Sequence, residues 1–193
     1  MSLRHALLSL LTVEPMTGYD LYKVFESSVG HVWHAPDSQI YPELKRMESE
    51  GLVTGEDIPW GQRGKKRQYT ITEEGVAHFR GWISTPLEYA RTRDPAHLKA
   101  AYLEWADPEA AREQMRGHIA HHQALLRQWQ ERIYELEHDT NPMLTKRLKI
   151  TPPEKHEATI AYKHFTYEGL IARAEAEIRW ATRGLELIDR LNS

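Results

Sequence analysis

Apolar residues in the first ninety positions recur at helical spacing in four stretches, and between the last two they alternate. Leu3, Ala6, Leu7, Leu10 and Leu11 share one face of a first helix, which Leu8 widens and Ser2 is placed to cap. Glu14-Pro15 ends it. Thr17-Gly18-Tyr19-Asp20 has the form of a capping box with Asp where Glu is usual, and opens a second helix with Leu21, Val24 and Phe25 on one side. Ser27, Ser28 and Gly30 loosen the chain before Trp33. Pro36, Asp37 and Ser38 supply cap chemistry, and Pro42 is tolerated only near a first turn, so a third helix starts at about Asp37 or Ser38. Its apolar face is Ile40, Leu44 and Met47; Gln39, Glu43, Lys45, Arg46 and Glu50 lie opposite, and Gly51 ends it.

Val53 to Asp57 can form a strand, Ile58-Pro59-Trp60-Gly61 a turn with Gly64 as a second flexible point, and Arg67 to Ile71 a return strand. Thr72-Glu73-Glu74 caps a fourth helix that turns Val76, Phe79 and Ile83 inward. Three helices, a strand, a basic hairpin, a strand and a helix make a winged helix-turn-helix, whose third helix enters the major groove with the hairpin beside it. Arg63, Lys65, Lys66 and Arg67 put four cations in five positions at that hairpin. The net charge of −3 means that any attraction for nucleic acid must be local. Ser38 and Gln39 are the expected readers of base edges, and Tyr41 is expected at sugar or backbone. Lys45, Arg63, Lys65, Lys66 and Arg67 are expected at phosphates. A winged helix used only for protein contacts is the alternative, and it has no need of that basic run.

Residues 85–94 read as a linker between a DNA-binding domain at 1–84 and a helical domain at 95–193. Pro95 to Trp105 is expected as one short helix with Leu98, Tyr102 and Trp105 on a face. Asp107-Pro108-Glu109 is a strong start signal for a helix running to about His138. Its seam is Met115, Ile119, His122, Leu126, Trp129, Ile133 and Leu136, at alternating spacings of four and three. Asn141-Pro142 breaks it, and Thr151-Pro152-Pro153-Glu154 begins a last helix reaching almost to the end. That helix has one seam through Ile160, His164, Tyr167, Ile171, Ala174, Ile178, Ala181, Leu185 and Ile188, and a second stripe with Tyr162, Phe165, Gly169, Ala172 and Ala176. So broad an apolar face needs more cover than one facing helix gives, and a second copy of the chain is the simplest cover. Leu7, Ile160, Tyr167, Ile171, Ala174, Ile178 and Leu185 are the expected homodimer contacts. The fold class is mainly α, with a two-stranded wing.

At 193 residues, 40% hydrophobic and 27% charged, the chain has the make-up of a soluble globular protein, without an apolar run of membrane-spanning length. The absence of cysteine excludes disulfides and thiolate metal sites and fits a cytoplasmic location. No catalytic constellation or phosphate-binding glycine loop is visible, so neither enzyme activity nor a cofactor is expected. His118 and His122 have zinc-ligand spacing on a helix. No third ligand stands at a fixed spacing from them, so no metal is expected and His122 reads as a core histidine. Tyr102, Trp105, His122 and Trp129 are the candidates for a small aromatic effector's pocket.

The chain resembles the PadR family of bacterial transcriptional regulators. The resemblance rests on Gly18-Tyr19-Asp20-Leu21, on Ile40-Tyr41-Pro42-Glu43-Leu44-Lys45-Arg46-Met47-Glu48 and on Glu50-Gly51-Leu52-Val53. It continues in Arg67-Gln68-Tyr69-Thr70-Ile71-Thr72-Glu73-Glu74-Gly75. The long C-terminal helices look similar to the Vir-type members. Asp37-Ser38-Gln39 departs from the small residue and glycine often found there, so no base preference is carried over. The resemblance implies a homodimeric repressor of a palindromic operator, released by a small molecule such as a phenolic acid or a drug.

Overall fold

A computed structural model describes residues 3–25, 37–61, 64–89 and 93–192. Ser2, Ser27, Ser28, Gly30, Trp33, Pro36 and Arg63 lie outside them, as does the 90–92 part of the expected linker. The chain divides into two compact units, Met1–Tyr89 and Ala90–Ser193.

The first unit runs α1 (Leu3–Leu11), β1 (Met16–Thr17), α2 (Gly18–Val24), α3 (Asp37–Ser49), β2 (Val53–Trp60), β3 (Gly64–Ile71) and α4 (Glu73–Ser84). The antiparallel sheet has the order β1-β3-β2, with Met16 opposite Tyr69 and Val53 opposite Ile71. The expected apolar faces meet in one core: Leu7, Leu8, Leu21, Phe25, Ile40, Leu44 and Met47 are all fully buried. Thr17 caps α2 by accepting from the Asp20 amide, and its hydroxyl donates to the Asp20 carboxylate at 2.7 Å.

The end of α3 is closed by hydrogen bonds from the Leu52 amide to the Met47 carbonyl (2.9 Å) and from the Gly51 amide to the Glu48 carbonyl (3.1 Å). This is the Schellman pattern, and Gly51 at φ 75° takes the left-handed position it requires. The Thr72 hydroxyl, which accepts from Gly75 at the start of α4, also donates to the Gly51 carbonyl at 2.7 Å. Gly75 sits directly against the Leu52 carbonyl, where a side chain has no room. α3, the base of the wing and α4 are thus latched at one point.

Three expectations for this unit need correction. The strands are longer than expected, with Ile58-Pro59-Trp60 inside β2 and Lys65, Lys66 and Arg67 inside β3, so these cations line a strand instead of a hairpin tip. β2 is an edge strand, where a proline without an N–H is tolerated. Ile83 is exposed instead of inward. Leu7, expected at a chain–chain contact, is fully buried in this core and has no surface to offer a second chain.

The second unit contains α5 (Pro95–Ala100), a 3-10 turn at Leu103–Trp105, α6 (Pro108–Glu137), α7 (Pro142–Ile150) and α8 (His156–Leu191). α6 and α8, of 30 and 36 residues, form an antiparallel hairpin of roughly 45 and 54 Å at about 1.5 Å per residue. Arg112 meets Asp189 (2.7 Å), His118 meets Glu177 (3.1 Å) and Glu137 meets His164 (3.4 Å), which fixes one register along its length. At one end Ala111, Met115, Ala181 and Ile188 form a core with Leu103, Ile119, Trp180 and Leu185 packed on it.

Pro95 to Trp105 is not one helix. α5 ends at Ala100, where the Ala101 amide donates to the His97 and Lys99 carbonyls, and Tyr102 at φ −133°, ψ 28° leaves the helical conformation before a separate 3-10 turn at Leu103–Trp105. Asn141-Pro142 does more than break a helix: the Asn141 side chain accepts from the Leu144 amide at 2.9 Å and starts α7. The seam assigned to a partner chain lies instead along the hairpin's own contact. Ala174 is fully buried, and Ile160, Tyr167, Ile171, Ile178 and Leu185 are half-buried. The second stripe stays uncovered, with Tyr162 75% and Phe165 71% exposed.

Candidate nucleic-acid interface

With Ile40, Leu44 and Met47 buried, α3 turns Ser38, Gln39, Tyr41, Lys45 and Arg46 outward. Tyr41 lies across the start of α2: a β-carbon on Gly18 would stand 2.5 Å from its ring. Gly18 therefore lets α2 and α3 approach, and Tyr41 covers the junction.

The next residue, Tyr19, extends this surface towards the wing. Lys23 Nζ is 4.7 Å from the Tyr19 ring centroid and Lys66 Nζ is 5.2 Å from it. Lys66 also lies 3.0 Å above the exposed Trp60 ring. Tyr19, Lys23, Trp60 and Lys66 thus make a basic–aromatic patch that begins beside Tyr41. Sequence reasoning named Lys66 but missed Tyr19, Lys23 and Trp60. A tryptophan three positions before the basic run that starts at Arg63 was the available signal.

The cations are not equivalent. Arg67 is held by Glu48 from α3 at 2.5 Å and by Asp57 from β2 at 3.1 Å. The hydrogen bond to Glu48 leads in raising the guanidinium above its ordinary pKa, and reciprocally in lowering the Glu48 carboxyl. Arg46 pairs with Glu43 at 3.0 Å, and Arg4 from α1 holds Glu43 and Glu50. Arg67, expected at phosphate, is therefore a strut between wing and α3. Lys45, Lys65 and Lys66 carry positive charge without an ion pair among the described residues.

In the second unit the four candidate effector residues differ widely in burial. Trp105 is 86% and Tyr102 59% exposed, whereas Trp129 is 5% exposed on the hairpin seam. His122 and Trp129 are seven residues apart on α6, roughly 10 Å at about 1.5 Å per residue. Burial, then the neighbouring His118 and His121, lower the pKa of His122. An open cleft of about 980 Å³ lies elsewhere, where the start of α6 faces the end of α8, walled by Leu103, Met115, Trp180 and Leu187 with Arg183 and Arg190. Among the described residues no helix is long and apolar enough to cross a membrane.

Comparison with known proteins agrees with this geometry. Residues 7–81 match the transcriptional regulator PadR-like family, and residues 92–189 match the virulence activator alpha C-term family. The negative transcriptional regulator PadR of Bacillus subtilis is 30% identical over 142 residues, covering 73% of this chain and 78% of that one. The crystal structure of B. subtilis PadR with operator DNA superposes with a TM-score of 0.75 at 24% identity, over 96% of this chain and 98% of that one, a likeness of fold. The same regulator in complex with p-coumaric acid gives 0.70 at 26% identity, over 97% and 98%. The chain belongs to the PadR-like family of transcriptional regulators, with the C-terminal helical domain of its virulence-activator branch.

Proposed function

We propose that this regulator binds a palindromic operator as a homodimer, represses from it, and is released by a small aromatic acid. The observation that carries the DNA reading is the division of α3. One face is wholly buried and latched to the wing, and the other presents Gln39, Tyr41 and Lys45, with Tyr41 against Gly18 and Lys66 near the next residue, Tyr19. Gln39 and Ser38 read base edges, Tyr41 contacts sugar or backbone, and Lys45, Lys65 and Lys66 neutralise phosphates. Nothing in this arrangement calls for catalysis, and the protein acts in the cytoplasm where its DNA is.

The dimer forms through the uncovered stripe of α8, from Tyr162 and Phe165 through Gly169 to Ala172 and Ala176. Large aromatic groups exposed along one helix are unusual on a monomer. The effector enters the cleft between the ends of α6 and α8, where Trp180 and Met115 give apolar walls and Arg183 a cation for a carboxylate. The relative solved with p-coumaric acid supports that ligand class. The test is titration of tryptophan fluorescence with hydroxycinnamic acids, followed by operator gel shifts. Quenching that Arg183→Ala abolishes, together with loss of the shifted band, is expected. Release of operator that persists in Arg183→Ala places the effector elsewhere.

A further inference from the structure

Beside the core that Met115 and Ala181 form at one end of the hairpin, α6 and α8 bring three metal-ligating side chains together. His118 and His122 stand one turn apart on α6, and Glu177 faces them from α8. A ring nitrogen from each histidine and a carboxylate oxygen all lie within 4.8 Å of one another. We propose that His118, His122 and Glu177 hold a divalent transition-metal ion of the zinc class, with a fourth position open to solvent or to an exogenous donor.

Zinc bonds of roughly 2.0–2.2 Å at tetrahedral angles set ligand atoms roughly 3.3–3.6 Å apart. His118 Nε2 and Glu177 Oε2, at 3.1 Å, are already close to that separation. The two imidazole centroids are 4.4 Å apart, so rotation of the His122 ring completes the set without moving either helix. Two imidazoles with one carboxylate suit the zinc class, whereas calcium and magnesium favour all-oxygen shells.

An ordinary ion pair accounts for His118 and Glu177 but not for His122, whose Nδ1 is buried without a hydrogen-bond partner in the described structure. A cation supplies that missing partner. The pocket is also partly dry, with the His118 and Glu177 side chains 16% and 22% exposed, which favours direct ligation over a hydrated ion. The third ligand was invisible in the sequence because Glu177 lies 59 positions from His118, on the other arm of the hairpin.

Trp180 provides a reporter, since its ring meets His118 edge-on at 5.2 Å. The test uses the full chain, stripped with chelator and titrated with zinc against a chromophoric competitor, and separately with cobalt. One zinc per chain is expected, with cobalt giving the visible bands of a four- or five-coordinate ion and quenching tryptophan emission. Glu177→Gln keeps a hydrogen-bond acceptor for His118 and so preserves the hairpin. It and His122→Gln should each weaken zinc at least about tenfold, since even outer-shell losses cost about 10–100-fold. His138→Gln, at the C-cap of α6 and well away from the cluster, should leave zinc affinity unchanged. Failure of the stripped chain to take up zinc or to give the cobalt bands overturns the site. So does equal zinc affinity in Glu177→Gln, which reduces the cluster to an ion pair beside a core histidine.

Discussion

Replacing Lys66 with alanine should change how DNA binding depends on salt, whereas replacing its neighbour Arg67 should not. Lys66 rests on the Trp60 ring at 3.0 Å and near Tyr19 at 5.2 Å, contacts that hold the ammonium without neutralising it. Arg67 already has Glu48 and Asp57 as counterions. Each phosphate contact contributes about −0.9 to the slope of log K against log salt, so two chains that each lose one contact flatten it by about 1.8. Across a fourfold rise from about 50 to 200 mM salt, native affinity should therefore fall roughly twelvefold further than that of Lys66→Ala. The two proteins should differ most at low salt and converge at high salt. Arg67→Ala exposes two unmatched carboxylates, so it should bind more weakly at every salt along a line parallel to the native one, and should melt earlier. Fluorescence anisotropy with one labelled duplex across a salt series measures both slopes. Equal flattening by the two substitutions, or none from Lys66→Ala, would refute the division between free cation and strut.

Gly75→Ala should cost about 1–3 kcal/mol in urea denaturation, because its β-carbon meets the Leu52 carbonyl and opens the latch. Gly81→Ala, on the same helix with nothing within 4 Å, should instead add roughly 0.5–1 kcal/mol, and equal effects at the two sites would contradict this packing. His5 stacks on Trp82 at 4.4 Å; burial, then His78, Arg4 and the amino terminus, lower its pKa. Its unfolded form binds a proton more readily, so its share of stability is complete above about pH 6.5 and is lost as pH falls through the lower folded value. The drop in urea midpoint between pH 7.5 and 5.5 should shrink in His5→Phe, which keeps the stack; an unchanged drop clears His5 of the effect. Phe165→Glu should yield helical monomers in sedimentation, whereas Ile171→Glu should first lower the melting temperature of the hairpin. A Phe165→Glu protein that remains dimeric at micromolar concentration would move the interface away from this stripe.

The winged helix was legible because its signals are local. The period of Ile40, Leu44 and Met47, the stop at Gly51 and the cap at Thr72 each act within a turn or two, and each appears as expected. Partnership across the fold was not legible. Arg67 reads as one more cation in a basic run until α3 folds back and places Glu48, 19 residues away, against it. Pro59 reads as turn material because its tolerance in a strand depends on β2 lying at an edge. Asn141-Pro142 carries two meanings, helix stop and helix start, and only the acceptance from the Leu144 amide selects the second. β1, of two residues, is too short to leave a periodic signal.

α8 shows the same limit at the scale of a whole helix. Two apolar stripes run along it, and the sequence alone led to giving the seam through Ile160, Ile171, Ala174 and Leu185 to a partner chain, although small residues such as its alanines let any facing helix approach. The structure uses that property inside the chain. Ala174 and Ala181 are fully buried, and Gly184 leaves room for Met115, whose sulfur would stand 2.9 Å from a β-carbon there. Close approach serves the α6–α8 contact, where the Arg112–Asp189 and His118–Glu177 pairs also bridge the helices. Tyr162 and Phe165 remain outside, and large aromatic side chains are the kind that anchor interfaces between chains. The stripes were both readable from periodicity; their assignment required knowing which one the facing helix had already covered.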